Sequence, residues 1–206
     1  MYQEFVQKLK DLATNNIKGI HTAMPGKILS FDPSTCLATV LPTMKYKMPN
    51  GKTMPYPQIT GVPVVILETM NQQATIAFPI KSGDGCTIVI SEQALDYWQY
   101  GQETDTDLAF DLTNAICIPG LFVPPNAVVK DACEQNAIIA DVEGTRVTIK
   151  KDLVQVDSKR VIINGDVRVN GYISASEEVF ASDSICLTHH THPLSPPPAP
   201  SCSVPK

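Results

Sequence analysis

Between residues 147 and 173, apolar residues return in pairs set two apart: Val147/Ile149, Val154/Val156, Val161/Ile163 and Val167/Val169, closing on a single Ile173. The first members lie 7, 7, 6 and 6 residues apart, and polar turns such as Lys150-Lys151-Asp152 and Asn164-Gly165-Asp166 separate them. Residues two apart share one side of a strand, so the pattern predicts a meander of very short strands. Such strands are marginal alone, and a repeat of this kind needs stacking neighbours. Three copies wound around one axis solve the problem, with Val and Ile inside and Lys, Asp, Asn and Arg outside. The ordinary alternative is one more sheet in a globular domain. The regular period and the near absence of aromatic bulk favour a thin trimeric prism, whose five rungs, ~4.8 Å apart, span roughly 25 Å.

The repeat runs towards Thr188-His189-His190-Thr191-His192, which holds three of the four histidines. On an extended chain His190 and His192 project together, while His189 and Thr191 face the other way. One chain offers two imidazoles, too few for most transition metals; three chains offer six, enough for an octahedron. His190 and His192 are therefore candidate metal ligands. The alternative is a solvated or packed histidine cluster. A tail of 14 residues with six prolines follows.

Composition bounds the remainder. The chain has 206 residues, 43% hydrophobic, 6% aromatic and 18% charged, enough for one large or two small β-rich domains with a real core. A net charge of −5 argues against a nucleic-acid binder, which normally shows a basic face. Six cysteines, at 36, 86, 117, 133, 186 and 202, show no CxxC spacing. With no signal peptide in view, they read as free thiols of a protein made in a reducing cytosol. No apolar run approaches the roughly 20 residues of a membrane span.

Four regions are expected. Residues 1–22 hold a helix and linker: Tyr2, Phe5, Val6, Leu9 and Leu12 mark an amphipathic helix over 2–13, and 15–21 a connector. Residues 23–125 read as short strands at Gly26–Phe31, Cys36–Leu41, Val62–Leu67, Thr75–Ile80 and Cys86–Ile90, most simply a small barrel of OB type. Ser91–Gly101, with Leu95, Tyr97 and Trp98, is a short helix or packed loop. Gly83-Asp84-Gly85 is a turn and not a phosphate cradle, because a strand follows it where a P-loop opens a helix. Residues 126–187 form the β-helical stem, and 188–206 the metal-binding tip and Pro-rich tail.

Four stretches stand in order: Met24-Pro25-Gly26-Lys27-Ile28 through Val40; Ser82-Gly83-Asp84-Gly85 through Leu95-Asp96-Tyr97-Trp98; Asp111 through Leu121; and His190-Thr191-His192. Together they resemble the central spike, or membrane-puncturing protein, of contractile-tail bacteriophage baseplates. The resemblance implies an all-β chain, with an OB-fold barrel followed by an intertwined trimeric β-helix and a metal-capped apex. It implies a homotrimer docked on a baseplate hub protein at the end of the tail tube. The virion would carry it at the baseplate tip, and it would meet the bacterial outer membrane mechanically. It also implies one iron per trimer, held by His190 and His192 of each chain, with cobalt or nickel compatible with six imidazoles. The family often follows its histidines with glycine or small residues; here Pro193 and Pro196-Pro197-Pro198 follow.

On this reading the chain is a structural protein that pierces the host envelope, and no catalysis on a substrate is expected. Three other readings compete with it. A metalloenzyme would combine His190 and His192 with a carboxylate such as Asp183, but the flanking sequence is too thin for a cleft. A receptor-binding or glycan-degrading tail spike needs a longer, aromatic-rich β-helix. A single-strand DNA-binding OB protein conflicts with the acidic balance.

Overall fold

The computed structural model describes residues 2–18, 20–48, 50–101, 108–123, 125–181 and 185–186. Internal contacts divide the chain into two units, Met1–Gln135 and Asn136–Lys206.

The first unit opens with α1 (Tyr2–Lys18), on which Phe5 and Leu12 are exposed. The helix runs five residues past the expected end and takes in part of the anticipated connector. Then come β1 (Ala23–Asp32), β2 (Leu37–Pro42), the β3–β4 hairpin (Lys45–Lys47 and Thr53–Pro55) and β5 (Ile59–Pro63). The β6–β7 hairpin (Leu67–Thr69 and Ala74–Ile76), β8 (Gly85–Ile90) and α2 (Asp96–Tyr100) follow. A 3-10 turn at Leu112–Asn114, β9 (Ala115–Pro119) and α3 (Ala127–Gln135) complete the unit.

Five strands form one antiparallel sheet in the order β5-β2-β1-β8-β9. Its two edge strands curl towards each other, and a parallel bridge, Val64↔Cys117, joins them. Val65 N donates to Cys117 O at 2.9 Å across the same gap. A bulge at Leu29, where the β1–β2 register slips between Ile28 and Ser30, bends β1 and helps the curl.

Alternation decides what lies inside. Met24 and Ile28 of β1, Ala38 and Val40 of β2, Ile59 and Val62 of β5, Cys86, Ile88 and Ile90 of β8, and Ala115 and Cys117 of β9 make the core. The β1–β2 turn follows from Asp32, whose carboxylate accepts from Ser34 N at 2.9 Å and Ser34 Oγ at 2.6 Å. The Gly83-Asp84-Gly85 turn is pinned to β1. Gly83 N donates to Ile28 O, and Ile28 N donates to Asp84 O, both at 2.8 Å. Gly85 has no alternative, because a Cβ there would overlap the Leu121 carbonyl oxygen.

Two expected strands are redrawn. The stretch from Val62 does not run on to Leu67 as one strand: β5 ends at Pro63, and the chain beyond it bridges to β9 at Val64. Thr75–Ile80 supplies only the arm β7 of an exposed hairpin, which ends at Ile76 opposite Leu67. The fifth strand of the curled sheet is β9, a stretch singled out in the sequence only through the resemblance. Helix α3 falls within 126–187, where only strands were anticipated; the Asn126 carboxamide oxygen caps it by accepting from Val128 N at 2.8 Å.

The second unit holds a three-stranded antiparallel sheet, β10 (Ile138–Val142), β11 (Thr145–Lys150) and β12 (Leu153–Asp157), in that order. Residues 158–179 form no strand within the chain, and a small pair, β13 (Phe180–Ala181) and β14 (Ile185–Cys186), follows. The expected strands at Val161/Ile163 and Val167/Val169 are therefore not formed among the described residues. Among the described residues no helix is long and apolar enough to cross a membrane.

Candidate assembly surface

The β10–β11–β12 sheet sorts its side chains by parity. Register partners in antiparallel strands stand on the same face. Ile138 pairs with Ile149 and Ile149 with Val154; Ala140 pairs with Val147 and Val147 with Val156; Val142 pairs with Thr145. One face is thus Ile138, Ala140, Val142, Val147, Ile149, Val154 and Val156, with Thr145 as its only hydroxyl. The opposite face holds Ile139, Asp141, Arg146, Thr148, Lys150, Leu153, Gln155 and Asp157.

The apolar face is the one left open. Ile138, Val142, Val154 and Val156 are all exposed, as is Ile149. The charged face is the better satisfied. Arg146 Nε donates to Asp141 Oδ2 at 2.9 Å, and this hydrogen bond holds the Asp141 carboxyl below the usual carboxylate range. Full burial of one Val or Ile side chain contributes roughly 1.5–3 kcal/mol, so a face on which six of seven apolar residues are exposed lacks its main source of stabilisation. The same character continues beyond the sheet, where Val161, Ile163, Val167, Val169 and Ile173 are exposed in turn.

The tight β10–β11 turn sets this register. Glu143 and Gly144 both have positive φ, 51° and 93°, the pattern of a two-residue hairpin that matches strand twist. That Glu-Gly pair was the available signal for β10. Reading alternation alone missed the strand, because Ile139 interrupts the polar positions of Ile138-Ile139-Ala140-Asp141-Val142.

The proposed metal ligands His190 and His192, with His189 and the rival ligand Asp183, lie outside the described residues. Among the described residues no group of three or more His, Cys, Asp or Glu side chains could hold a metal. In the first unit, the buried thiols Cys86 and Cys117 hydrogen-bond to each other, which lifts the Cys117 thiol far above its ordinary range. Asp111 accepts from Thr113 N at 2.9 Å and Thr113 Oγ1 at 2.7 Å, and those bonds hold its carboxyl below the usual range.

Residues 24–120 match the family described as the phage protein Gp138 N-terminal domain. The matched segment spans β1 through β9, the whole of the curled sheet and the hairpins it carries. This similarity supports a phage structural, baseplate-related protein, and with it a virion component made in the host. No curated protein matches the chain.

Proposed function

We propose that the chain is the central spike of a contractile-tail phage baseplate, working as a homotrimer that pierces the host envelope when the sheath contracts. The observation that carries this reading is the exposed apolar face of β10–β12, continued by the alternating Val and Ile residues to Ile173. Two further copies of the same chain are the simplest cover for a repeat with this period, since each copy supplies the face the others lack.

The first unit fits a baseplate adaptor. Taken round the curl, its five sheet strands run first-second-third-fifth-fourth and back to the first, with the third and fifth parallel, which is the order of an OB barrel. The barrel and α1, with Phe5 and Leu12 exposed, would attach to a hub protein at the end of the tail tube.

The mechanism is stiffness. Backbone pairing between copies resists bending, and the rod transmits load to the outer membrane without chemistry on a substrate. The donor set His190 and His192, taken three times, suits one octahedral iron, or cobalt or nickel. Bound there, such a metal would cross-link three chain ends against fraying.

Absolute mass in solution coupled to metal analysis tests the reading. A particle of three 22.4 kDa chains holding one metal supports it. A monomer at micromolar concentration overturns it, whatever its metal content.

A further inference from the structure

The barrel carries a cleft that a purely mechanical role leaves unused. About 740 Å³ in volume, it opens between the β1–β2 turn, the chain leaving β5, the β6–β7 hairpin and α2. This is within the range of small-ligand sites. Val64 and Ile66 give it an apolar wall, and α2 places Trp98 and Tyr100 at its rim, 71% and 63% exposed. Large aromatic rings held in water beside an apolar cleft are ready to stack against a ligand.

The polar groups narrow the class of ligand. Gln72, Gln99 and Glu68 line the cleft, and no Lys, Arg or His is among its described lining residues. Among the described lining residues a phosphate would meet a carboxylate and no cation, which disfavours nucleic acids and phospholipid headgroups. Carboxamides and a carboxylate offer both donors and acceptors to hydroxyls, while the aromatic faces suit the C–H face of a sugar ring. Two wall residues, Cys36 and Gln72, hold left-handed backbone (φ 55° and 67°), a conformation costly for non-glycine residues that clusters at ligand sites. The location, between the first-to-second and fourth-to-fifth strand connections, is also where OB barrels take oligonucleotides and oligosaccharides, of which the absence of cations favours the second.

We propose that this cleft binds an uncharged oligosaccharide, its rings on Trp98 and Tyr100 and its hydroxyls on Gln72, Gln99 and Glu68. The inference stands on the first unit alone and does not rest on the trimer.

Trp98 is the one tryptophan of the chain, so its fluorescence reads the cleft directly. The full-length protein is titrated with the N-acetylglucosamine trimer and, separately, with maltohexaose. A saturable change with either sugar is expected, with affinity at least tenfold weaker in Tyr100→Ala. Gln72→Ala, at an exposed hairpin position, is expected to weaken binding several-fold with an unchanged melting temperature, which covers the case of a misfolded Tyr100 variant. No change with either sugar overturns the proposal, as does a response that both variants leave intact. A fluorescence change that follows protein concentration without sugar overturns it in favour of a second copy or another protein in the cleft. Mass measured on the same sample separates the two readings. A monomer that binds sugar sinks only the spike, and a trimer that binds none sinks only the cleft.

Discussion

Ile149 and Val154 stand directly opposite each other across β11 and β12, yet they remain 45% and 66% exposed in a single chain. A cross-strand apolar pair normally marks the inner face of a sheet. Here the pair lies on the open face, while the ion pair Asp141–Arg146 lies on the other. In a solitary chain the sheet turns its apolar face to solvent and keeps its ion pair partly buried.

Val154→Lys discriminates between those states. On an isolated chain an exposed substitution shifts stability by within about 0.5 kcal/mol. In a trimer it brings three ammonium groups into an apolar seam, at a cost on the order of several kcal/mol. The expected outcome, read by absolute mass and thermal unfolding, is loss of the proposed trimer with the first unit still folded. An unchanged mass and melting temperature would mean that this face is not the seam.

Gly85→Ala tests the packing of the curled sheet. A methyl group at this position would overlap backbone at Leu121, which cannot move as a flexible side-chain tip can. The Gly120 N to Gly85 O bond, at 2.9 Å, lies beside it. The expected loss is about 3 kcal/mol, at the upper end of the overpacking range, measured by urea denaturation of the barrel.

Thiol reactivity should divide the cysteines by burial. Cys36 and Cys133 are exposed, whereas Cys86 and Cys117 are buried. Cys86 and Cys117 are also offset by two positions along β8 and β9, since Cys86 pairs with Pro119 and Cys117 with Ile88. Their hydrogen bond keeps Cys117 protonated and so unreactive. In a chain carrying Cys186→Ser and Cys202→Ser, Cys36 and Cys133 should be labelled by a maleimide within minutes. Labelling of Cys86 and Cys117 should wait for denaturant, and rapid labelling of all four would contradict the closed core.

Acid should weaken both units through Asp111 and Asp141. Their hydrogen bonds, from Thr113 and Arg146 respectively, lower each carboxyl below the ordinary value of 3.8. A carboxyl depressed in the folded state stabilises the fold above its unfolded pKa, and that contribution is lost as pH falls through the folded value. Stability should therefore be flat above about pH 5 and decline below about pH 4. Asp111→Asn, followed by thermal unfolding at stepped pH, should make the decline of the first unit shallower, the remainder resting on Asp32 and its bonds from Ser34. An equally steep decline in that variant would assign the effect elsewhere.

Local chemistry made much of the fold legible. Alternation located β1, β2 and β8 because each has one buried side, and Asp32-Pro33-Ser34 fixed the first turn through its own side-chain bonds. The pairing of Val147 with Val156 and of Ile149 with Val154 follows the same two-residue period that the sequence displays. Pro63 was equally visible, but where the strand around it ends depends on the neighbours it meets, Leu37 and then Cys117, which no single strand reveals.

What the sequence determined by itself is the pattern of what must be covered: an apolar stripe on short strands whose turns are too regular for an ordinary loop. What only the tertiary structure decided is which face remains open and which distant groups meet. β9 became the closing strand because the curl of the sheet brings Val64 to Cys117 across 53 residues of chain. Gln72 and Trp98 share a cleft for the same reason. Side-chain period is a property of neighbours along the chain and can be read there. The curl accumulates from bulge, twist and register over five strands, and only the folded sheet records its sum.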